Sequence, residues 1–120
     1  MTVNKLKPNS LVSDVVEYYL NTKAFARLKD STQKEYEGSL KIALETKTLL
    51  GKTLGDTRLN KIKTKCANHL YEQWLDRGIS RANKISTITS IIFNKAISLD
   101  ITYHNPMIGI DRVANKERKV

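Results

Sequence analysis

One cysteine, two prolines and two histidines are all this chain carries of the residues that most often staple, break or metallate a fold. The lone thiol, Cys66, excludes an internal disulfide and any multi-cysteine metal site. His69 and His104 lie far apart and no second cysteine joins them, so neither a metal nor a cofactor is expected. No apolar run approaches the roughly 20 residues that cross a bilayer. The first ten residues lack the apolar centre of a secretory signal. No membrane association and a cytoplasmic location are therefore expected. There is no Gly-rich phosphate loop, no metalloprotease His-Glu spacing and no paired nucleophile and base, so no residue is assigned a catalytic role. Internal repeats, heptads and low-complexity tracts are absent too. The last shortage is local: between Arg77 and Leu99 there is not one Asp or Glu.

What is present is positive charge. Twenty-one Lys and Arg stand against twelve Asp and Glu in 120 residues, a net +9. Such an excess attracts polyanions, of which nucleic acids and acidic membrane surfaces are the commonest. The length suits one domain, and 40% hydrophobic with 28% charged residues is ordinary for a globular core.

Apolar residues recur at helical spacing in several segments. Leu11, Val12, Val15, Val16, Tyr19 and Leu20 predict a helix over 11–25, capped by Ser10. Tyr36, Leu40, Ala43, Leu44 and Leu50 predict a second over 32–50, capped by Ser31 and stopped by Gly51. Residues 51–63 read as an ordered loop anchored by Leu54, Leu59 and Ile62. A third helix, capped by Thr64, carries Ala67, Leu70, Tyr71, Trp74 and Leu75 inward and ends at Gly78. A fourth, capped by Ser80, covers 81–100 with Ala82, Ile85, Ile88, Ile92, Ala96 and Leu99 inward. Asn105-Pro106 breaks any continuation. The fold class expected is all-α, a compact four-helix bundle. Residues 1–9 read as an extension, 10–106 as the domain and 107–120 as a basic linker poor in core residues.

The outer side of the fourth helix is the most informative surface. Asn83, Thr87, Ser90, Asn94 and Ser98 form one line, flanked by Arg81, Lys84 and Lys95. A solvated face usually mixes Glu with Lys, whose i,i+4 pairs support a helix. Small amides and hydroxyls are poorer helix formers, but they allow close approach and donate to phosphates and base edges, where carboxylates are repelled. This points to DNA. The second helix offers Thr32 and Lys34 near its N-terminus, where free amides favour an anion. Ser31 there serves as a cap, and Glu35 and Glu37 dilute the charge. Gly38 marks either a tolerated defect or the close approach of a partner. Trp74 and Tyr36 fall on apolar faces and are assigned to the core.

In order and spacing these signals resemble the core-binding domain of tyrosine recombinases, the phage integrase family. The pieces are Thr32 with Tyr36, Leu59-Asn-Lys-Ile62, Gly78-Ile-Ser80, Phe93-Asn-Lys-Ala-Ile97 and Asn105-Pro106, spread over residues 11–110. The resemblance implies a SAM-like domain clamping one face of a recombination site in double-stranded DNA. Thr32, Lys34, Arg81, Asn83, Lys84 and Thr87 would then lie toward the major groove. It also implies a catalytic domain beyond the Asn-Pro segment and contacts with other recombinase protomers on DNA. That domain's His-x-x-Arg motif is matched at neither His69 nor His104, and none of the five tyrosines is assigned as nucleophile. The chain is expected to be inactive alone, as an excised or truncated domain. Two other readings stay open at this point, a small helix-turn-helix regulator and a helical protein-interaction domain.

Overall fold

A computed structural model describes residues 6–114. Every regular element among them is helical, and strand-like pairing is limited to two isolated bridges, Leu11 with Arg58 and Lys47 with Thr53. The fold is all-α. The α-helices are α1 (Val12–Leu20), α2 (Lys23–Ala26), α3 (Asp30–Glu45), α4 (Thr64–Trp74) and α5 (Ile79–Ser98). Short 3-10 turns lie at Leu54–Asp56, Leu59–Lys61, Leu75–Arg77 and Pro106–Gly109.

The helix expected over 11–25 is two helices. Thr22 interrupts it: its hydroxyl donates to the Tyr19 carbonyl (2.7 Å) and accepts from the Phe25 amide (3.2 Å), ending α1 and capping α2. Ser10 is not the cap of α1. Its Oγ accepts from the Lys7 amide, and Asp14 reaches back to the Leu11 amide instead. The Tyr19 ring meets Phe25 edge-on at 5.6 Å, and burial, with Tyr36 adding to it, pushes the Tyr19 pKa up from its ordinary value.

Helix α3 starts two residues earlier than expected and ends five residues short of Leu50. Lys29 is its N-cap residue, which places Ser31 inside the first turn. At the far end the Thr46 hydroxyl donates to the Ile42 carbonyl (2.7 Å), and Thr48 pairs with Lys52 across a tight turn. Thr46 thus satisfies by side chain a carbonyl that further helix would have used, and Thr48 closes the turn that follows. Leu49 and Leu50 are left exposed, and Gly51 (φ +87°) serves the turn rather than a helix cap. Lys63 and Gly78, not Thr64 and Ser80, occupy the N-cap positions of α4 and α5. At Gly78 φ is +108°, a conformation only glycine adopts without strain.

Helix α5 is the centre of the molecule. It packs against α1, α3 and α4 and against the 3-10 turns on both of its flanks. Its inward stripe of Ala82, Ile85, Ile88, Ile92 and Ala96 is buried, joined by Ser86, Thr89 and Phe93, while Leu99 is only half-buried. Leu54, Leu59 and Ile62 are buried beneath the long connection, and Trp74 donates its indole N–H to Thr46 (2.9 Å), tying α4 to the end of α3.

The segment after Pro106 departs most from expectation. Met107 and Ile110 are core residues, and Asn105, Pro106 and Met107 are buried against the bundle. Residues 107–110 therefore belong to the packed body rather than to the expected linker. An ideal Cβ on Gly109 would stand 2.9 Å from Thr64 Cγ2, so a side chain there would force Thr64 of α4 to shift. The basic end, residues 115–120, lies outside the described residues.

Gly38 makes no such approach, because a Cβ there meets nothing within 4 Å and its φ is not positive. Gly38→Ala is expected to stabilise the protein by about 0.5–1 kcal/mol, the usual helix-interior difference. A thermal melt should rise by about 4 °C; a lowered melting point would mean the position is constrained.

Candidate nucleic-acid interface

Helices α3 and α5 pack side by side, and near their N-terminal ends they leave a cleft of about 570 Å³. Thr32, Glu35 and Tyr36 line it from α3; Ser80, Asn83, Lys84, Thr87 and Ile88 line it from α5. Thr32, Asn83, Lys84 and Thr87, singled out from two separate segments, thus meet in one place. Lys34 and Arg81 are exposed and adjoin lining residues in sequence.

Lys84 does not stand free. Its Nζ lies 2.7 Å from Glu35 Oε2, with both side chains partly open to solvent. This is the only ion pair among the described residues. It neutralises the cation at the centre of the predicted surface and places a carboxylate where a phosphate would approach.

Asn83 and Thr87 are engaged as well. The Tyr71 hydroxyl donates to Asn83 Oδ1 (2.7 Å), and Asn83 Nδ2 donates to the Val113 carbonyl (3.1 Å). Arg112 Nη1 donates to Thr87 Oγ1 (2.9 Å). The C-terminal segment therefore reaches back over the outer side of α5 and meets the cleft at two of its lining residues.

Further along α5 the line of small polar residues has another use. Asn105 Nδ2 donates to the Ser90 carbonyl (3.2 Å), Ser90 Oγ (2.8 Å) and Asn94 Oδ1 (2.9 Å). Asn105 Oδ1 accepts the Met107 amide (3.0 Å) and caps the 3-10 turn. Ser90 and Asn94 hold this buried connection and lie outside the cleft, as does half-buried Lys95. The α5 stripe thus divides into an N-terminal half facing α3 and a C-terminal half that seats Asn105.

Sequence reasoning missed Tyr71, Asn105 and Arg112 as parts of this surface, and the pairing of Glu35 with Lys84. A local signal existed for Asn105 alone. Asparagine is a preferred N-cap and proline a preferred first helical residue, so Asn105-Pro106 announces a helical turn as well as a break. Among the described residues no helix is long and apolar enough to cross a membrane. No protein-family model matches this chain, and no curated protein or solved structure matches it significantly.

Proposed function

We propose that this chain binds double-stranded DNA through the α3/α5 cleft, as the SAM-like, four-helix core-binding domain of a tyrosine recombinase. The observation that carries the reading is the convergence of Thr32 with Lys84 and Thr87 in one cleft, with exposed Lys34 and Arg81 next to lining residues in sequence. Short hydroxyls permit close approach to a duplex, and the exposed cations nearby supply charge for its phosphates. On this reading the domain has no catalytic activity of its own. It grips one side of a recombination site, while bond breaking and rejoining belong to a separate catalytic domain and other protomers assemble on the same DNA. The cell compartment is the cytoplasm.

The test is a titration with short duplex DNA between about 50 and 200 mM salt. Contact with four to six phosphates gives a log–log slope of about −4 to −5, because each neutralised phosphate releases about 0.9 counterion. Absence of binding, or a slope near zero, removes the DNA reading and favours a protein partner for the same face.

A further inference from the structure

Resting on the DNA reading above, we propose that Arg112 is a phosphate-binding residue of the same interface, held in place by Tyr71 and Asn83. The backbone next to Arg112 is fixed by side chains from two helices. The Val113 amide donates to the Tyr71 hydroxyl (2.8 Å), and the Val113 carbonyl accepts from Asn83 Nδ2 (3.1 Å). Tyr71 in turn donates to Asn83 Oδ1 (2.7 Å), closing a ring of three hydrogen bonds. A hydroxyl can donate once and accept as well, and an amide can do both, so each group here is used in its proper sense. The Tyr71 ring is 1% exposed and belongs to the core, which makes the clasp a rigid anchor for an otherwise exposed stretch of chain.

That anchor sets where the neighbouring side chain goes. Arg112 crosses to α5 and rests on Thr87 through one nitrogen, Nη1. Its remaining guanidinium N–H groups have no partner among the described residues, and the residue is exposed. Thr87 is three residues beyond Lys84, on the same side of the helix, so Arg112 delivers its charge one turn from Lys84. The contrast between the two cations decides the argument. Lys84 is neutralised by Glu35, whereas among the described residues Arg112 forms no ion pair, even with its exposed neighbour Asp111. A planar fork with free donors suits a phosphate, which it can grip with two parallel hydrogen bonds. A neutral threonine hydroxyl is a weaker acceptor than a phosphate oxygen, so Thr87 aims the guanidinium without competing for it.

The experiment compares duplex affinity and salt slope for the wild type, Arg112→Ala, Tyr71→Phe, the double variant and Lys84→Ala, each first shown by thermal melting to be folded. Arg112→Ala should weaken binding by about tenfold at low salt and make the slope shallower by about 0.9, the loss of one phosphate contact. Tyr71→Phe keeps the buried ring and removes only the hydroxyl. It should cost a few-fold, and nothing further once Arg112 is alanine, because a positioning residue acts only through what it positions. If the wild type binds and Lys84→Ala weakens it while Arg112→Ala matches wild type in affinity and slope, the Arg112 assignment is overturned and the DNA reading stands. Additive losses in the double variant overturn the positioning role of Tyr71. A wild type that binds no duplex overturns the DNA reading and this assignment with it.

Discussion

On the proposed DNA reading, Glu35→Gln should tighten duplex binding by about tenfold at low salt, and Lys84→Ala should weaken it by a similar factor. The two effects have one origin. Lys84 and Glu35 form a 2.7 Å ion pair in the cleft, so any approaching phosphate meets a cation and an anion together. At about 6 Å in water a unit charge and a phosphate interact by roughly 0.7 kcal/mol. Two phosphates bordering the cleft make about 1.4 kcal/mol, which is tenfold in affinity. Removing Glu35's charge removes that much repulsion, and removing Lys84's charge removes that much attraction. Both groups are substantially exposed, so added salt should shrink both effects together. The double variant tests whether field or contact matters. If the pair acts only through its charges, Glu35→Gln with Lys84→Ala returns affinity close to wild type. A direct lysine–phosphate hydrogen bond would leave the double variant weaker. Unchanged binding in both single variants would mean that DNA does not use the α3/α5 cleft.

The ion pair also shows what the sequence could and could not reveal about the site. The line Asn83, Thr87, Ser90, Asn94 was legible because α5 runs for 20 residues at an unbroken helical period. Thr32 was legible as part of a helix N-terminus and of the recombinase-like pattern. Their meeting in one cleft depends on how α3 packs against α5, which no local spacing encodes. The same holds for Glu35: it reads as a dilution of charge on its own helix, yet its consequence falls on Lys84, 49 residues further along. Small polar residues carry a second ambiguity. Ser86 and Thr89 lie outside the expected inward stripe yet are buried, Thr89 returning its hydroxyl to the Ile85 carbonyl (2.8 Å). A hydroxyl that can bond its own helix gives no sign of which side is inside.

Helix boundaries failed for a related reason. Leu50 continues the period of α3, but Thr46 and Thr48 redirect the chain through side-chain bonds, and the apparent core leucine ends up exposed. Thr22 divides the first helix in the same way. In each case apolar spacing located the element and a threonine hydroxyl set its end. The long connection was easier to read. With no other apolar side chain between Gly51 and Lys63, Leu54, Leu59 and Ile62 had to be its anchors, and all three are buried.

Asn105→Ala should cost about 3 kcal/mol of stability, the largest loss expected from one small polar side chain here. Asn105 is 4% exposed and reaches in two directions. Its Nδ2 serves two acceptors on Ser90 and one on Asn94, while its Oδ1 receives the Met107 amide. That last contact fixes the orientation of the side-chain amide, because only the oxygen can accept an N–H. Two amide protons and one accepted bond amount to about three effective hydrogen bonds, each worth roughly 1 kcal/mol net. Alanine also leaves the Met107 amide buried and unpaired. Ser90→Ala removes one of these contacts and should cost only about 1 kcal/mol. Urea unfolding measures both, and its slope separates two ways of failing. If the whole domain is destabilised, the midpoint falls at constant m. If the segment from Asn105 to Val113 detaches first, m falls as well, since Met107 and Ile110 already expose their surface before the main transition. Detachment would also carry Arg112 away from Thr87, so the DNA salt slope of Asn105→Ala should then approach that of Arg112→Ala. A loss below about 0.5 kcal/mol, within the range of ordinary surface substitutions, would mean that Asn105 does not hold the C-terminal segment against α5.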